Sequence, residues 1–129
     1  MIKRITPVLI VDRIEPLLPL WDALGFARAA EVPHGDALGF VILTRDGIEV
    51  MYQTFDSVRG DEANVLEGSP AIGASAVFIE VEDLDGLKAQ IPEGTDVIVA
   101  SRKTFYGSTE TIIRDAAGNV ITFAQFAAS

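Results

Sequence analysis

A β-hairpin pattern that occurs twice constrains this chain more than any other feature. Residues 104–126 read TFYGSTETIIRDAAGNVITFAQF, with β-rich runs at Ser108–Arg114 and Asn119–Phe126 flanking Asp115-Ala116-Ala117-Gly118. Asp bonds its own downstream backbone and Gly takes positive φ at no steric cost, so the tetrad reads as a turn between two strands. Residues 40–53, FVILTRDGIEVMYQ, repeat that order: an apolar run ending in Arg45-Asp46, a Gly turn, then a second strand. Arg114-Asp115 follows Arg45-Asp46 by 69 positions, which makes an internal repeat the first expectation.

The rest of the chain extends the repeat. Arg4–Val11 is apolar and β-branched nearly throughout, as in a strand covered on both faces. Pro7 has no N–H to give, so it places this strand at an edge or paired on one side. Ile14–Leu24 carries Leu17, Leu18, Leu20, Trp21 and Leu24 at helical spacings, with Pro16 and Pro19 confined to about the first turn and Gly25 as the stop. Trp21 reads as a core anchor. Phe26–Val32 is a second strand, Pro33-His34-Gly35-Asp36 a turn, and Leu38–Thr44 with Ile48–Gln53 a hairpin. The polar, acidic stretch 55–73 lacks periodicity and reads as a connecting loop, with one short helical turn around Glu62 to Leu66. Ser75–Val81 is then a strand, Asp83 the N-cap of a helix Leu84–Gln90, and Thr95–Ser101 a strand before the closing hairpin. Val11 aligns with Val81, Leu9 with Ile79, Ile14 with Leu84 and Leu17 with Leu87, so the order β-α-β-β-β occurs twice in register.

Composition narrows the functions open to such a chain. Its 129 residues suit one domain, or two small halves sharing one core, and a hydrophobic content of 49% supports a packed interior. A formal charge of −9 without any basic cluster argues against nucleic acid or an anionic membrane as partner, and permits a cationic ligand. The absence of cysteine excludes disulfides, thiolate metal sites and a cysteine nucleophile. No apolar run approaches the ~20 residues of a spanning helix, and the run after Lys3-Arg4 is cut by Asp12, unlike a signal peptide. A soluble cytoplasmic protein is the expectation. No G-x-S-x-G elbow, phosphate loop or dinucleotide motif is present.

The paired modules, Gly25-Phe26 after the first helix and the Arg114-Asp115-x-x-Gly118-Asn119 hairpin together resemble the vicinal oxygen chelate superfamily. That group includes glyoxalase I, extradiol dioxygenases, fosfomycin-resistance enzymes and bleomycin-resistance proteins. The resemblance runs from Ile5 to Gln125 and implies an α+β fold, with two βαβββ modules forming curved sheets around a shared cavity. It implies a single domain over 1–129, with module one at 4–54, a linker at 55–73 and module two at 74–127, and a homodimer. Metal-binding members place ligands on the first and last strand of each module, which the alignment carries to Thr6, Glu49, Ala76 and Thr122. Only Glu49 is a ligand of the usual type, whereas a divalent catalytic site wants at least three protein donors. The chain therefore looks closest to the metal-free, bleomycin-resistance-like members, with no cofactor and a small organic molecule as partner. The alternative is a metal-dependent lyase, isomerase or dioxygenase, and a third class is a protein-interaction role with a filled cavity.

Strand alternation sorts the residues that would line such a cavity. Thr6, Val8 and Ile10 share a face, as do Glu49, Met51 and Gln53, then Ala76, Phe78 and Glu80, then Val120, Thr122 and Ala124. Glu49 among apolar neighbours would have its pKa raised unless a cation or an arginine answers it. It then binds a basic ligand group, acts as a general acid/base and so as the one catalytic candidate, or simply bonds Thr6 or Thr122; alternation alone also allows it to face solvent. The candidate ligand-binding set is Thr6, Phe40, Glu49, Met51, Phe78, Phe105, Tyr106 and Thr122. Phe40 reads as core or ligand contact, and one ring of Phe105-Tyr106 belongs at a cavity mouth or dimer interface. His34, the sole histidine, reads as an exposed loop residue or a cap on the cavity mouth.

Overall fold

The computed structural model describes residues 1–61 and 75–127. The chain divides into two compact units, Met1–Ile72 and Gly73–Ser129. The first holds β1 (Val8–Val11), a 3-10 turn (Glu15–Leu17), α1 (Leu18–Ala23), β2 (Ala27–His34), β3 (Ala37–Arg45), β4 (Ile48–Thr54) and α2 (Phe55–Asp61). The second holds β5 (Ala76–Glu80), α3 (Leu84–Gln90), β6 (Asp96–Lys103), β7 (Ser108–Arg114) and β8 (Val120–Phe126). Each unit forms one four-stranded sheet, in the order β1-β4-β3-β2 and β5-β8-β7-β6. In both, the first strand pairs in parallel with the last and the other pairs are antiparallel. The molecule is thus an α+β protein of two βαβββ modules. Among the described residues no helix is long and apolar enough to cross a membrane.

Local chemistry explains most boundaries. β1 is an edge strand, and Pro7 joins its ladder only as an acceptor, from Met51 N at 3.0 Å. The strand consequently starts at Val8 and not Arg4, and its two faces are not equally covered: Leu9 and Val11 are buried while Val8 is exposed. The expected single helix over 14–24 is split, because Pro16 sits in the 3-10 turn and Pro19 in the first turn of α1, where neither loses an intrahelical bond. At its far end Gly25 takes φ +81°. Phe26 N then donates to Trp21 O and Gly25 N to Asp22 O, both at 3.0 Å, which closes the helix as a Schellman motif. The Phe26 ring meets Trp21 edge-on at 4.9 Å, and the Trp21 indole N–H donates to the Tyr52 hydroxyl at 3.1 Å. Trp21 and Tyr52 anchor the first core with Ile14, Leu17, Val41 and Leu43, all fully buried.

Two expectations need correction. β2 continues through Pro33 and His34, leaving only Gly35-Asp36 as the turn. Pro33 is tolerated because β2 is an edge strand whose register shifts between Val32 and Pro33. His34 is therefore an exposed strand residue packed where Gly39 and Gly60 make room: an added Cβ would stand 2.6 Å from His34 Cβ at Gly39 and 3.0 Å from its Cε1 at Gly60. The segment after β4 is helix α2 and not loop. Thr54 Oγ1 caps it by accepting from Ser57 N at 3.1 Å, and Val58 buries against the sheet. The helical turn expected at Glu62 to Leu66 lies outside the described residues.

In the second unit Asp83 caps α3 through Gly86 N at 3.0 Å, as the sequence predicts. Leu84, Ile113, Ile121 and Phe123 form the core beneath that helix. Asp115 holds the closing turn. Its Oδ1 accepts from Ala117 N and Asn119 N at 2.9 and 2.8 Å, its Oδ2 accepts from Asn119 Nδ2 at 3.1 Å, and Gly118 takes φ +89°. Asn119 Oδ1 in turn accepts from Ser75 N, which ties the turn to the start of β5. Replacing Asp115 by Ala strands the two buried Asn119 donors and should lower unfolding stability by about 2–3 kcal/mol. Urea unfolding with an unchanged m-value checks this; a loss under about 0.5 kcal/mol would show that the turn does not depend on the carboxylate.

Candidate functional site

The candidate residues fall into two groups, one on each sheet. In the first unit Thr44 lies opposite Glu49, Ile42 opposite Met51 and Phe40 opposite Gln53, so Phe40, Glu49 and Met51 share the face turned away from α1. Thr6 Oγ1 donates to Glu49 Oε1 at 3.5 Å, and Arg4 Nη1 stands 3.6 Å from Oε2. The Glu49 side chain is 19% exposed and Arg4 is 72% exposed. Of the roles open to Glu49, the bond to Thr6 is present, and Arg4 answers its charge. Phe40 is half-buried.

The equivalent pair in the second unit is not the expected one. Ala76 lies opposite Val120, and Thr122 lies opposite Phe78. The position that carries Glu49 in the first module therefore carries Val120 in the second. The pair in the first unit offers one carboxylate and one hydroxyl and the pair in the second unit offers no donor, and no three His, Asp or Glu side chains converge among the described residues. This donor set does not fit a divalent catalytic ion, which needs at least three N or O ligands.

The second sheet instead holds a polar cluster that sequence reasoning missed. Glu110 on β7 has no exposed surface, although it faces away from α3 with Thr122 and Ala124. Its Oε1 accepts from Arg102 Nε and Nη2 at 3.0 and 2.7 Å. Its Oε2 accepts from the Tyr106 hydroxyl at 2.5 Å and Ser108 Oγ at 2.8 Å. The hydrogen bond from Tyr106, opposed by desolvation and supported by Arg102 and Ser108, holds the carboxyl below the usual carboxylate range. Beside it runs a chain of rings: Phe78 to Phe126 at 6.4 Å, Phe126 to Tyr106 at 6.3 Å, and Tyr106 to Phe105 at 5.1 Å. Phe78 is 54% exposed, Tyr106 44% and Phe126 38%, while Phe105 projects almost wholly into solvent. Strand alternation applied to Ser108–Arg114 would have put Glu110 on this face. Arg102 gave no comparable signal, because it lies beyond the predicted end of its strand.

Neither a protein-family model nor a curated protein matches the sequence. Solved structures do. A lactoylglutathione lyase from Agrobacterium tumefaciens superposes with a TM-score of 0.71 at 17% identity, covering 97% of this chain and 95% of that one. A glyoxalase/bleomycin resistance protein/dioxygenase family enzyme from Burkholderia phytofirmans PsJN gives 0.73 at 13% identity, over 95% and 97%. A glyoxalase/bleomycin resistance protein/dioxygenase from Nocardioides gives 0.69 at 14%, over 98% and 86%. The fold is that of the glyoxalase/bleomycin-resistance proteins.

Within that fold Glu110 makes stability depend on pH in a definite direction. Its folded pKa lies below the unfolded value, so its contribution is present above about pH 4.3 and is lost as pH falls through the depressed folded value. Unfolding measured from pH 7 down to about 2.5 should show the unaltered chain losing stability more steeply than Glu110→Gln in that acid range. Parallel curves would remove Glu110 from the ion-paired state described here.

Proposed function

We propose that this chain is a metal-free member of the glyoxalase/bleomycin-resistance group that binds a small organic molecule. The observation that carries this reading is the donor set. Ala76 and Val120 stand where a metal-binding second module needs ligands, and Glu49 is already engaged with Thr6 and Arg4. The sheet faces turned away from α1 and α3 supply the other ingredients of an organic-ligand site, apolar and aromatic surface with a few fixed polar groups: Phe40 and Met51 in the first unit, and in the second Phe78 and Thr122 with Tyr106 from the loop before β7. Phe105 stands at the rim of the second set.

The mechanism is sequestration: the ligand is held and shielded, and no bond need change. A homodimer in the cytoplasm is part of the same proposal and rests on the family resemblance. Glu49 stays on as a polar contact that either orients a ligand group or holds the Thr6–Arg4 cluster. The metal-dependent lyase, isomerase or dioxygenase reading needs ligands that these positions do not offer.

Elemental analysis paired with native mass spectrometry, on protein purified without chelator or added metal, tests the proposal. The expected result is divalent metal far below one equivalent per chain. One equivalent, removed by chelator together with an enzymatic activity, would overturn it.

A further inference from the structure

Three exposed rings in a row, Phe78 and Tyr106 each against Phe126, beside a fully buried carboxylate are an unusual use of surface. Contiguous exposed apolar area costs solvation free energy and marks a place where something binds. Phe78, Phe126 and Tyr106 are tilted against one another, by 53° for the first pair and 42° for the second, and so form a cradle and not a closed stack. Tyr106 is locked in place by its hydroxyl on Glu110, which removes much of the ordering cost of binding on its ring.

The polar groups decide which ligand fits. A carboxylate has about four lone-pair sites, and those of Glu110 are filled by Arg102 Nε, Arg102 Nη2, Tyr106 and Ser108. With no exposed surface and no vacant acceptor, it has nothing to offer a basic ligand. Arg102 is the opposite case. A guanidinium carries five N–H donors; Glu110 engages Nε and Nη2, the Tyr106 hydroxyl is a further hydrogen-bond partner, and the side chain remains 48% exposed, which leaves donors over. The two bonds to a single oxygen fix the plane of the guanidinium at the sheet face, so the surface of this cluster presents donors.

We infer that the second module binds a flat aromatic molecule carrying an oxygen acceptor at its edge, a carboxylate in the simplest case, with the ring among Phe78, Phe126 and Tyr106 and the acceptor on Arg102. The inference rests on the reading of this chain as a binder of small organic molecules, and it names the ligand class. It runs against the chain's overall charge of −9, which by itself would favour a cation.

The chain should be titrated with 2-naphthoate, 2-naphthalenemethanol and 2-naphthylmethylamine at about 0.15 M salt, to screen the long-range repulsion. Binding is followed by calorimetry and by nitrogen–proton correlation spectra that include the arginine Nε–H groups. Naphthoate should bind at least about tenfold more tightly than the amine and shift the Arg102 Nε–H and the amides of Phe78 and Phe126. Arg102→Gln should erase that preference, and Phe78→Leu, at an exposed position, should weaken both ligands without unfolding the chain. A preference for the amine with shifts centred on Glu49 would overturn the inference and leave the binding function standing. No binding of any probe, together with stoichiometric uptake of a divalent ion, would overturn both.

Discussion

α1 in the first module and α3 in the second lie on one face of their sheets, and alternate side chains along the inner strands β3, β4, β7 and β8 are sorted by that coverage. In the first module Leu9, Val11, Val41, Leu43, Val50 and Tyr52 bury on the covered side with Trp21. In the second, Ile113, Ile121 and Phe123 do so with Leu84. The residues between them lie on faces their own module leaves uncovered, and there the chain places Glu49, Met51 and Phe40, or Phe78, Thr122 and Glu110. Stability and binding are thus written on opposite phases of the same two-residue period. A one-residue slip in any strand would exchange them.

Glu110 is the exception that organises its surroundings. Removing a carboxylate from water costs several kcal/mol unless its lone pairs are met. The loop between β6 and β7 meets them while fixing its own shape: Ser108 N donates to Thr104 Oγ1 at 3.0 Å and Thr104 N to Ser108 O at 2.9 Å. This staple presents Ser108 Oγ and the Tyr106 hydroxyl to one oxygen of Glu110 as Arg102 takes the other. The buried charge therefore specifies the loop, and the loop specifies where Tyr106 and Phe105 stand.

What the sequence made legible was chemistry that is local. The Asp83 cap, the Gly25 stop and the Asp115–Gly118 turn each rest on a few neighbouring residues, and each appears where it is expected. α2, no shorter than α3, was illegible because its cap Thr54 is also the last residue of β4 and Gly60 weakens its final turn. The Arg102–Glu110 pair was illegible for a different reason. Val99 lies opposite Ile112, so unbroken pairing would bring Ser101 opposite Glu110; an extra residue in β6 puts Arg102 there instead. Alternation cannot foresee a bulge, and the charge pair at the centre of the candidate site depends on one.

The two modules share a scaffold and have spent it differently. Val8, Met51 and Ile42 stand in a row across the first sheet as Phe78, Thr122 and Ile112 do across the second. Two residues along, the first sheet has Ile10, Gln53 and Phe40 where the second has Glu80, Ala124 and Glu110. The same lattice point carries a ring in one module and a fully buried carboxylate in the other. In the opposite direction, the first sheet sets a Thr–Glu pair where the second sets Ala and Val. The repeat therefore carries the backbone from one module to the other and leaves the polar groups behind. A metal centre that draws ligands from matching positions of both halves would require those groups to be kept in step, and here they have moved apart.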